Sequence, residues 1–300
     1  MTEKVKITFL GTGGMIPTEK RNHPAFFLSY GNEGILVDCG EGTQIQLRKA
    51  KISPTKITKI LLTHRHGDHT FGLPGLFRTL AMLGYKKKLV IYGPRGIKKT
   101  IDGIFQAFGD TTEYEIEVKE ILGKFLETKE FAISAEQMVH GPLCNAYSFL
   151  VKGNTKLDKK KLKKFKIKDG KHLSELKQKG YMNYEGKKYV LKNLAIEEDD
   201  KKVSFVLDTA FNDRIVPFVK DSDVLVCESG FGEELAEKAK AYMHLTSVEA
   251  GKIAKKANVK KLCLVHISER YEKNSSQLLK QAKKYFRNTT IPNDLDVLYV

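Results

Sequence analysis

Short apolar runs recur along the chain, and segments with apolar residues at helical spacing lie between them. The apolar runs predict strands at residues 4–10, 25–30, 34–38, 56–63, 88–93, 113–118, 131–140, 146–151, 188–192, 203–208, 223–228 and 261–266. The helical spacing predicts helices near residues 41–51, 73–84, 94–108, 233–241, 246–257 and 274–286. Strands that alternate with helices indicate an α/β fold. Consecutive strands dominate the first half, which favours two β-sheets flanked by helices over one doubly wound sheet.

Several of the predicted strands end in a residue that can bind a metal ion or move a proton. Asp38 ends the run ILVD, His64 follows ILLT, Asp208 ends SFVLD and His266 ends LCLVH. The carboxyl ends of strands in α/β proteins meet at one edge of a sheet, where ligands usually bind. The pattern therefore predicts a functional site that gathers these side chains.

The stretch THRHGDH, residues 63–69, concentrates three of the eight histidines of the chain. His64 and His66 share a face if the segment is extended, and Asp68 and His69 can face a second spot after the turn at Gly67. A lone histidine on an apolar strand is usually structural, but this spacing predicts two zinc-type sites. These four residues cannot complete two tetrahedral sites. The missing ligands are expected at strand ends, and the suppliers predicted there are His140, Asp208 and His266.

Composition narrows the setting of this site. The 300 residues are 41% hydrophobic, and the chain contains no apolar run long enough to span a bilayer and no signal-peptide pattern. We therefore expect a cytoplasmic protein without membrane contact. Cys39, Cys144, Cys227 and Cys263 form no CxxC pair, so buried reduced thiols are expected rather than a cysteine zinc site.

A net charge of +16 points to a polyanionic partner. Residues 155–180 carry eleven lysines and three acids, a net +8 that is half of the excess. Such runs are often only solvated faces. Here leucine, isoleucine and phenylalanine are interleaved, so two short helices can pack. We expect one domain over residues 1–300 with a lysine-rich arm inserted at 153–187.

The motifs together resemble a known family. THRHGDHTFGLPGL strongly resembles the signature of the metallo-β-lactamase superfamily and, within it, of tRNase Z, the tRNA 3′-processing endoribonucleases. Six further segments are similar to motifs of that family and follow in the same order. They are FLGTGGMIPTEKRNHPAFFL, LVDCGEGTQIQL, FVLDTAFND, VCESGF, YMHLTSVEAGKIA and LVHISERY. At two positions, Leu207 and Cys227, this chain has a residue different from the one that is common in the family.

The resemblance implies an αββα four-layer sandwich with a protruding basic arm, two Zn²⁺ ions per subunit and no organic cofactor. It assigns His64, His66 and His140 to one zinc ion, Asp68, His69 and His266 to the other, and Asp208 to both. A metal-activated water would then attack the phosphodiester 3′ of the acceptor stem of a precursor tRNA and leave a 3′-OH. Asp68 would orient that water, and His244, supported by Glu228, would protonate the departing oxygen.

Other residues are candidates for substrate contacts. Asp38 is expected to bond to a zinc-bound histidine. The chemistry of Ser268 and Arg270 suits RNA phosphates. By resemblance, the loop with Thr18, Arg21 and Asn22 lies near the substrate 3′ end, and the arm grips tRNA for the partner active site of a homodimer. The predicted arm contacts are Lys160, Lys161, Lys163 and Lys164.

Three alternatives remain open at this stage. The chain could hydrolyse a small ester, thioester or lactam, although the basic arm argues against it. It could be an idle RNA-binding relative, although every expected ligand is present. It could also cleave DNA rather than RNA.

Overall fold

The structure is a computed structural model that describes residues 4–109 and 113–300. The chain divides into two compact units. The larger unit comprises the chain up to Glu127, Ala132–Phe149 and Lys202–Val300, and the smaller one Thr128–Phe131 and Leu150–Lys201.

The larger unit contains two mixed sheets. The first is built from β1 (Lys6–Gly11), β2 (Ala25–Tyr30), β3 (Glu33–Val37), β4 (Lys59–Leu61), β5 (Leu89–Gly93), β6 (Ile116–Glu120) and β18 (Val297–Tyr299). Its spatial order is β18-β1-β2-β3-β4-β5-β6. The strands from β3 to β6 run parallel, whereas β18, β1, β2 and β3 pair antiparallel. The parallel half places the ends of β3 and β4 side by side.

The second sheet holds the later strands. They are β7 (Gly123–Glu127), β8 (Phe131–Met138), β9 (Cys144–Val151), β14 (Lys201–Val206), β15 (Val224–Glu228), β16 (Leu262–Val265) and β17 (Thr289–Thr290). Their order is β17-β16-β15-β14-β9-β8-β7. Parallel pairing from β14 to β17 brings the carboxyl ends of β14, β15 and β16 to one edge.

Helices cover the outer faces of both sheets. Those of the larger unit are α1 (Thr43–Lys49), α2 (Gly67–Thr70), α3 (Leu73–Met82), α4 (Ile97–Phe108), α8 (Ile215–Val219), α9 (Ala236–Ala241), α10 (Ser247–Lys256) and α11 (Ser276–Lys283), with 3₁₀ turns at Pro54–Lys56, Glu233–Leu235 and Glu269–Tyr271. The apolar sides of α1, α3 and α4 share a buried cluster with the first sheet, and those of α8, α10 and α11 share one with the second.

The inner faces of the two sheets pack on each other. The rings of Phe26 and Phe205 lie 5.7 Å apart, and the Tyr147 hydroxyl donates to the Leu62 carbonyl oxygen. These contacts and the outer helices confirm the predicted αββα sandwich. All four cysteines are free and buried, as expected. Across the described residues, none of the helices combines the length and the apolar character needed to cross a bilayer.

The smaller unit contains the predicted arm. It consists of β10 (Thr155–Leu157) paired with β13 (Ala195–Glu197), β11 (Tyr181–Tyr184) paired with β12 (Lys187–Val190), and the helices α5 (Lys159–Lys164), α6 (Lys171–Lys179) and α7 (Leu191–Leu194). Leu162, Ile167, Leu176, Met182 and Leu194 form its own small core. The two lysine-rich helices predicted from the interleaved apolar residues are therefore present.

Candidate metal centre

The HxHxDH stretch leaves the first sheet directly after β4. His64 lies between β4 and α2, outside regular secondary structure, and His66 is the residue before α2, with a β-region backbone. Asp68 and His69 belong to α2, a single helical turn that the sequence did not indicate. His64 and His69 are fully buried and Asp68 nearly so. This change of backbone geometry turns the four side chains toward two neighbouring points.

One group of donor atoms belongs to His64, His66, His140 and Asp208, all within 4.8 Å of one another. Asp208 Oδ2 lies 3.7 Å from His64 Nε2 and 3.8 Å from His140 Nε2. His140 follows β8, where a bridge between Val139 and Ala210 holds it beside the end of β14.

A second group consists of Asp68, His69, Asp208 and His266. Asp68 Oδ2 lies 3.3 Å from His69 Nε2 and 3.5 Å from His266 Nε2. Asp208 Oδ1 lies 3.5 Å and 3.1 Å from the same two nitrogen atoms. His266 has a positive φ of 58°, a conformation that costs a non-glycine residue energy and is typical of functional sites.

The two oxygens of Asp208 therefore face different groups: Oδ2 faces the first and Oδ1 the second. Donors about 2.0–2.2 Å from a tetrahedral zinc ion stand about 3.3–3.6 Å apart. The observed separations are close to this spacing.

Burial gives an independent test of whether these residues fit metal ions. The Nε2 atoms of His64, His69 and His266 and Oδ1 of Asp208 are buried and have no hydrogen-bond partner among the described residues. Buried polar atoms nearly always have a hydrogen-bond partner or a metal ion, so four such atoms without one that face the same place indicate a bound ligand. A divalent cation can be bound by all four atoms, so these residues fit a metal ion.

The charges around the carboxylates agree with this assignment. Burial works to raise the pKa of Asp68, but contacts with His266 and His69 outweigh it and hold that pKa well below its usual range. For Asp208, burial is likewise overcome by the charges of His266 and His69, which lower its pKa. Both carboxylates are therefore ionised, the form that binds a metal.

Asp38 lies behind the second group. It is fully buried, and its carboxylate accepts hydrogen bonds from the Thr63 amide (2.7 Å) and the Thr63 hydroxyl (2.8 Å). The other ring nitrogen of His69, Nδ1, lies 2.6 Å from Asp38 Oδ2. This contact turns Nε2 of His69 toward Asp68 and Asp208.

His244 and Glu228 form a pair at the other side of the site. His244 Nδ1 lies 3.0 Å from Glu228 Oε2, and Glu228 is fully buried at the end of β15. Burial alone would lower the pKa of His244, but the charge of Glu228 and its hydrogen bond raise it to about 9. The His244 ring lies 5.1 Å from that of His140 and 5.4 Å from that of His266. The side of the His244 ring that does not contact Glu228 therefore faces the candidate ligands.

Phe231 is a site residue that sequence reasoning missed. Its ring lies 5.8 Å from that of His244, and the Arg270 guanidinium lies 5.2 Å from its centre. Arg270 is exposed, and the Ser268 hydroxyl donates to the Glu269 carboxylate. Phe231 contacts both side chains, so Arg270 lies on the same side of the site as His244.

The loop residues predicted to touch substrate differ in exposure. Thr18 is half-buried, and its hydroxyl accepts from the amides of Lys20 and Arg21. Arg21 is buried, and its guanidinium donates to the Thr12 hydroxyl and the Pro292 carbonyl. The guanidinium of Arg21 therefore holds the loop to the C-terminal segment. Asn22 is half-buried, and its backbone amide donates to Asp294.

The arm lysines also differ. Lys160, Lys163 and Lys164 are exposed on α5. The Lys161 ammonium donates to the Ala195 carbonyl oxygen and so fixes α5 to β13.

Comparison with known proteins places this architecture. The sequence model of a family described as anti-Pycsar protein Apyc1 matches residues 5–157. A Bacillus subtilis metallo-β-lactamase fold protein, YhfI, is 20% identical with a TM-score of 0.73 over the whole of both chains. The larger unit therefore has the metallo-β-lactamase fold.

The finer assignment comes from nearly full-length relatives. Ribonuclease Z of Listeria monocytogenes is 37% identical over 99% of both chains. The short form of human tRNase Z is 25% identical with a TM-score of 0.72 over 98% of both chains. The chain belongs to the ribonuclease Z family.

Proposed function

We propose that this protein is a metal-dependent endoribonuclease that removes the 3′ trailer from precursor tRNA. One observation carries the proposal: two groups of His and Asp donors share the carboxylate of Asp208 inside a ribonuclease Z chain. The relatives named ribonuclease Z and tRNase Z support the substrate.

The cofactor is a pair of Zn²⁺ ions. His64, His66 and His140 would hold one, Asp68, His69 and His266 the other, and Asp208 would contribute one oxygen to each. When bound, two such ions would neutralise the charge of a phosphodiester. They would also lower the pKa of a water molecule, so that hydroxide is available to attack the phosphodiester near neutral pH.

The protein side chains supply orientation and protons. Asp68 orients the attacking water through its free carboxylate oxygen. His244 carries a proton at neutral pH because its pKa is about 9, and it gives this proton to the departing 3′ oxygen. Glu228 keeps the His244 ring in place through Nδ1, so Nε2 faces the reaction. The products are a tRNA with a 3′-OH and a trailer with a 5′-phosphate.

Substrate contacts follow from charge and exposure. Arg270 and Ser268 bind a phosphate near the cut, and Thr18 and Asn22 lie in the loop that meets the substrate 3′ end. Arg21 contributes by holding that loop, because its guanidinium is buried.

The arm at 153–187 binds the tRNA backbone. Lys160, Lys163 and Lys164 offer exposed ammonium groups to phosphates, and Lys161 supports the helix that carries them. The active assembly is a cytoplasmic homodimer in which the arm of one subunit holds the tRNA for its partner.

A direct test uses a 3′-extended precursor tRNA. The protein, with and without prior treatment by a chelator, is incubated with the precursor, and both product ends are mapped. We expect one cut 3′ of the acceptor stem, loss of cleavage after chelation, and recovery with Zn²⁺. Undiminished cleavage by the metal-free protein would falsify the proposal.

A further inference from the structure

A basic groove lies next to the candidate metal centre. Arg65, Arg95, Gly96, Lys99, Thr100 and Glu120 line a cavity of about 570 Å³. A smaller cavity of about 140 Å³ adjoins it, since Arg65, Arg95 and Gly96 line both, and Leu143 and Pro94 add apolar walls. Arg95 also lines a third cavity of about 520 Å³, which lies past the end of β6 and is lined by Leu122 and Asn145 as well. The shared lining residues make the three cavities one groove.

The groove is positively charged. Arg65, Arg95 and Lys99 are exposed, and none of them forms an ion pair with a residue in the described parts of the chain. Glu120 is the acidic residue in the lining, and its Oε1 accepts from the backbone amides of Gly96 (2.9 Å) and Lys98 (3.3 Å) at the start of α4. Glu120 therefore caps the helix, and the three cations remain available for an anion.

The position of the groove relates it to the reaction. Arg65 stands between His64 and His66, so its Cα is about 3.8 Å from those of two candidate ligands. The rings of His66, His140 and His244 follow one another at 5.1 Å spacing. The groove therefore begins beside His66, and the ring of His140 contacts those of both His66 and His244, the proton donor for the tRNA 3′ oxygen in the proposed function.

We propose that this groove binds the backbone phosphates of the 3′ trailer. The inference rests on the proposed function: the tRNA product leaves from His244, so the strand bearing the new 5′-phosphate extends the other way. The forked guanidinium groups of Arg65 and Arg95 suit phosphate oxygens. The apolar walls at Leu143, which is 39% exposed, and Pro94 take the sugar and base without reading sequence. The groove favours precursors with trailers long enough to reach Lys99.

The test compares trailer lengths. Precursors with a trailer of about one nucleotide and of about ten nucleotides are cleaved by the wild-type chain, by Arg95→Ala/Lys99→Ala and by the control Lys98→Ala. Lys98 is exposed in the same turn of α4 and lines none of these three cavities. We expect the double variant to lose about five- to tenfold in kcat/KM on the long trailer relative to the short one. Loss of two phosphate contacts should also flatten the log–log salt slope by about 1.4.

The outcomes separate this inference from the proposed function. An equal loss on both trailers would place the contacts on the tRNA side and overturn the proposal, as would no loss on either. An equal effect of Lys98→Ala would show a general charge effect and would also overturn it. If the wild-type chain cuts neither precursor, the proposed function itself fails, and the groove proposal fails with it.

Discussion

Asp38→Asn should weaken one metal site more than the other. Asp38 has a left-handed backbone with φ of 55°, which asparagine tolerates well, so the backbone can stay in place. The carboxylate now accepts two bonds from Thr63 and faces Nδ1 of His69. An asparagine that keeps the bond from the Thr63 amide places its NH₂ group where Oδ2 now stands, next to both the Thr63 hydroxyl and Nδ1 of His69. Facing His69, that group favours the ring tautomer with its proton on Nε2, which cannot bind a metal.

The expected cost follows from the bond that is lost. A hydrogen bond to a charged group contributes about 1.5–3 kcal/mol, and about 1.4 kcal/mol corresponds to a tenfold change in affinity. The metal affinity of the group that contains His69 should therefore fall about 10–100-fold, the usual effect of removing the partner of a ligating histidine. Asp38 reaches His64 only through the Thr63 hydroxyl, which lies 3.0 Å from His64 Nδ1, so the site of His64, His66 and His140 should lose less affinity.

The assay is a zinc titration of the metal-free protein against a competing chelator, with bound zinc measured by elemental analysis. Asp102→Asn, an exposed carboxylate on α4, is the control with the same change of charge. Two binding steps are expected, and one should be weakened more than the other. Equal weakening of both steps would mean that Asp38 supports the fold rather than His69. Two unchanged steps would refute the orienting role.

Two further predictions concern the reaction. His244→Ala should lower kcat on precursor tRNA by about 10²–10⁴-fold while zinc content stays the same, because a general acid is lost; an unchanged cleavage rate at saturating substrate would remove His244 from that role. Replacing Lys160, Lys163 and Lys164 by glutamate should raise KM for precursor tRNA at least about tenfold and make it less sensitive to salt, with hydrolysis of bis(p-nitrophenyl) phosphate as the comparison. Equal loss on both substrates would contradict a role confined to RNA binding, and reversal of exposed lysines on α10 is the charge-matched control.

The candidate ligands could be predicted from the sequence because their signals are local. His64 and His66 directly follow an apolar run, and Asp208 and His266 each end one, so the pattern that predicts a strand also locates the side chain. The two-residue spacing was interpreted as an extended strand end. In the structure β4 already ends at Leu61, and Asp68 and His69 lie in a helical turn. The structure brings the predicted residues into the same two groups, although the local backbone geometry is different.

Features that depend on contacts between residues far apart in the sequence could not be predicted. Arg21 looks like a phosphate-binding residue in its loop, but its buried acceptors at Thr12 and Pro292 come from both ends of the chain. The helix α8 has a proline at its centre and was not predicted. β7 was missed because its apolar side chains are only Phe125 and Leu126, and none of its residues is fully buried. The groove that contains Arg95 requires four separate segments to meet, and no short pattern records that.

The contact between Arg21 and Pro292 has a consequence for the order of assembly. Asp294 also accepts from Thr12 and Asn22, and β18 pairs with β1, so the loop next to His266 is completed by residues 292–299. All seven candidate ligands precede residue 267 in the chain. A chain truncated before Pro292 would keep every ligand and still lack the contacts that close the loop, so residues 292–299 must pack against β1 and the loop before the centre becomes competent.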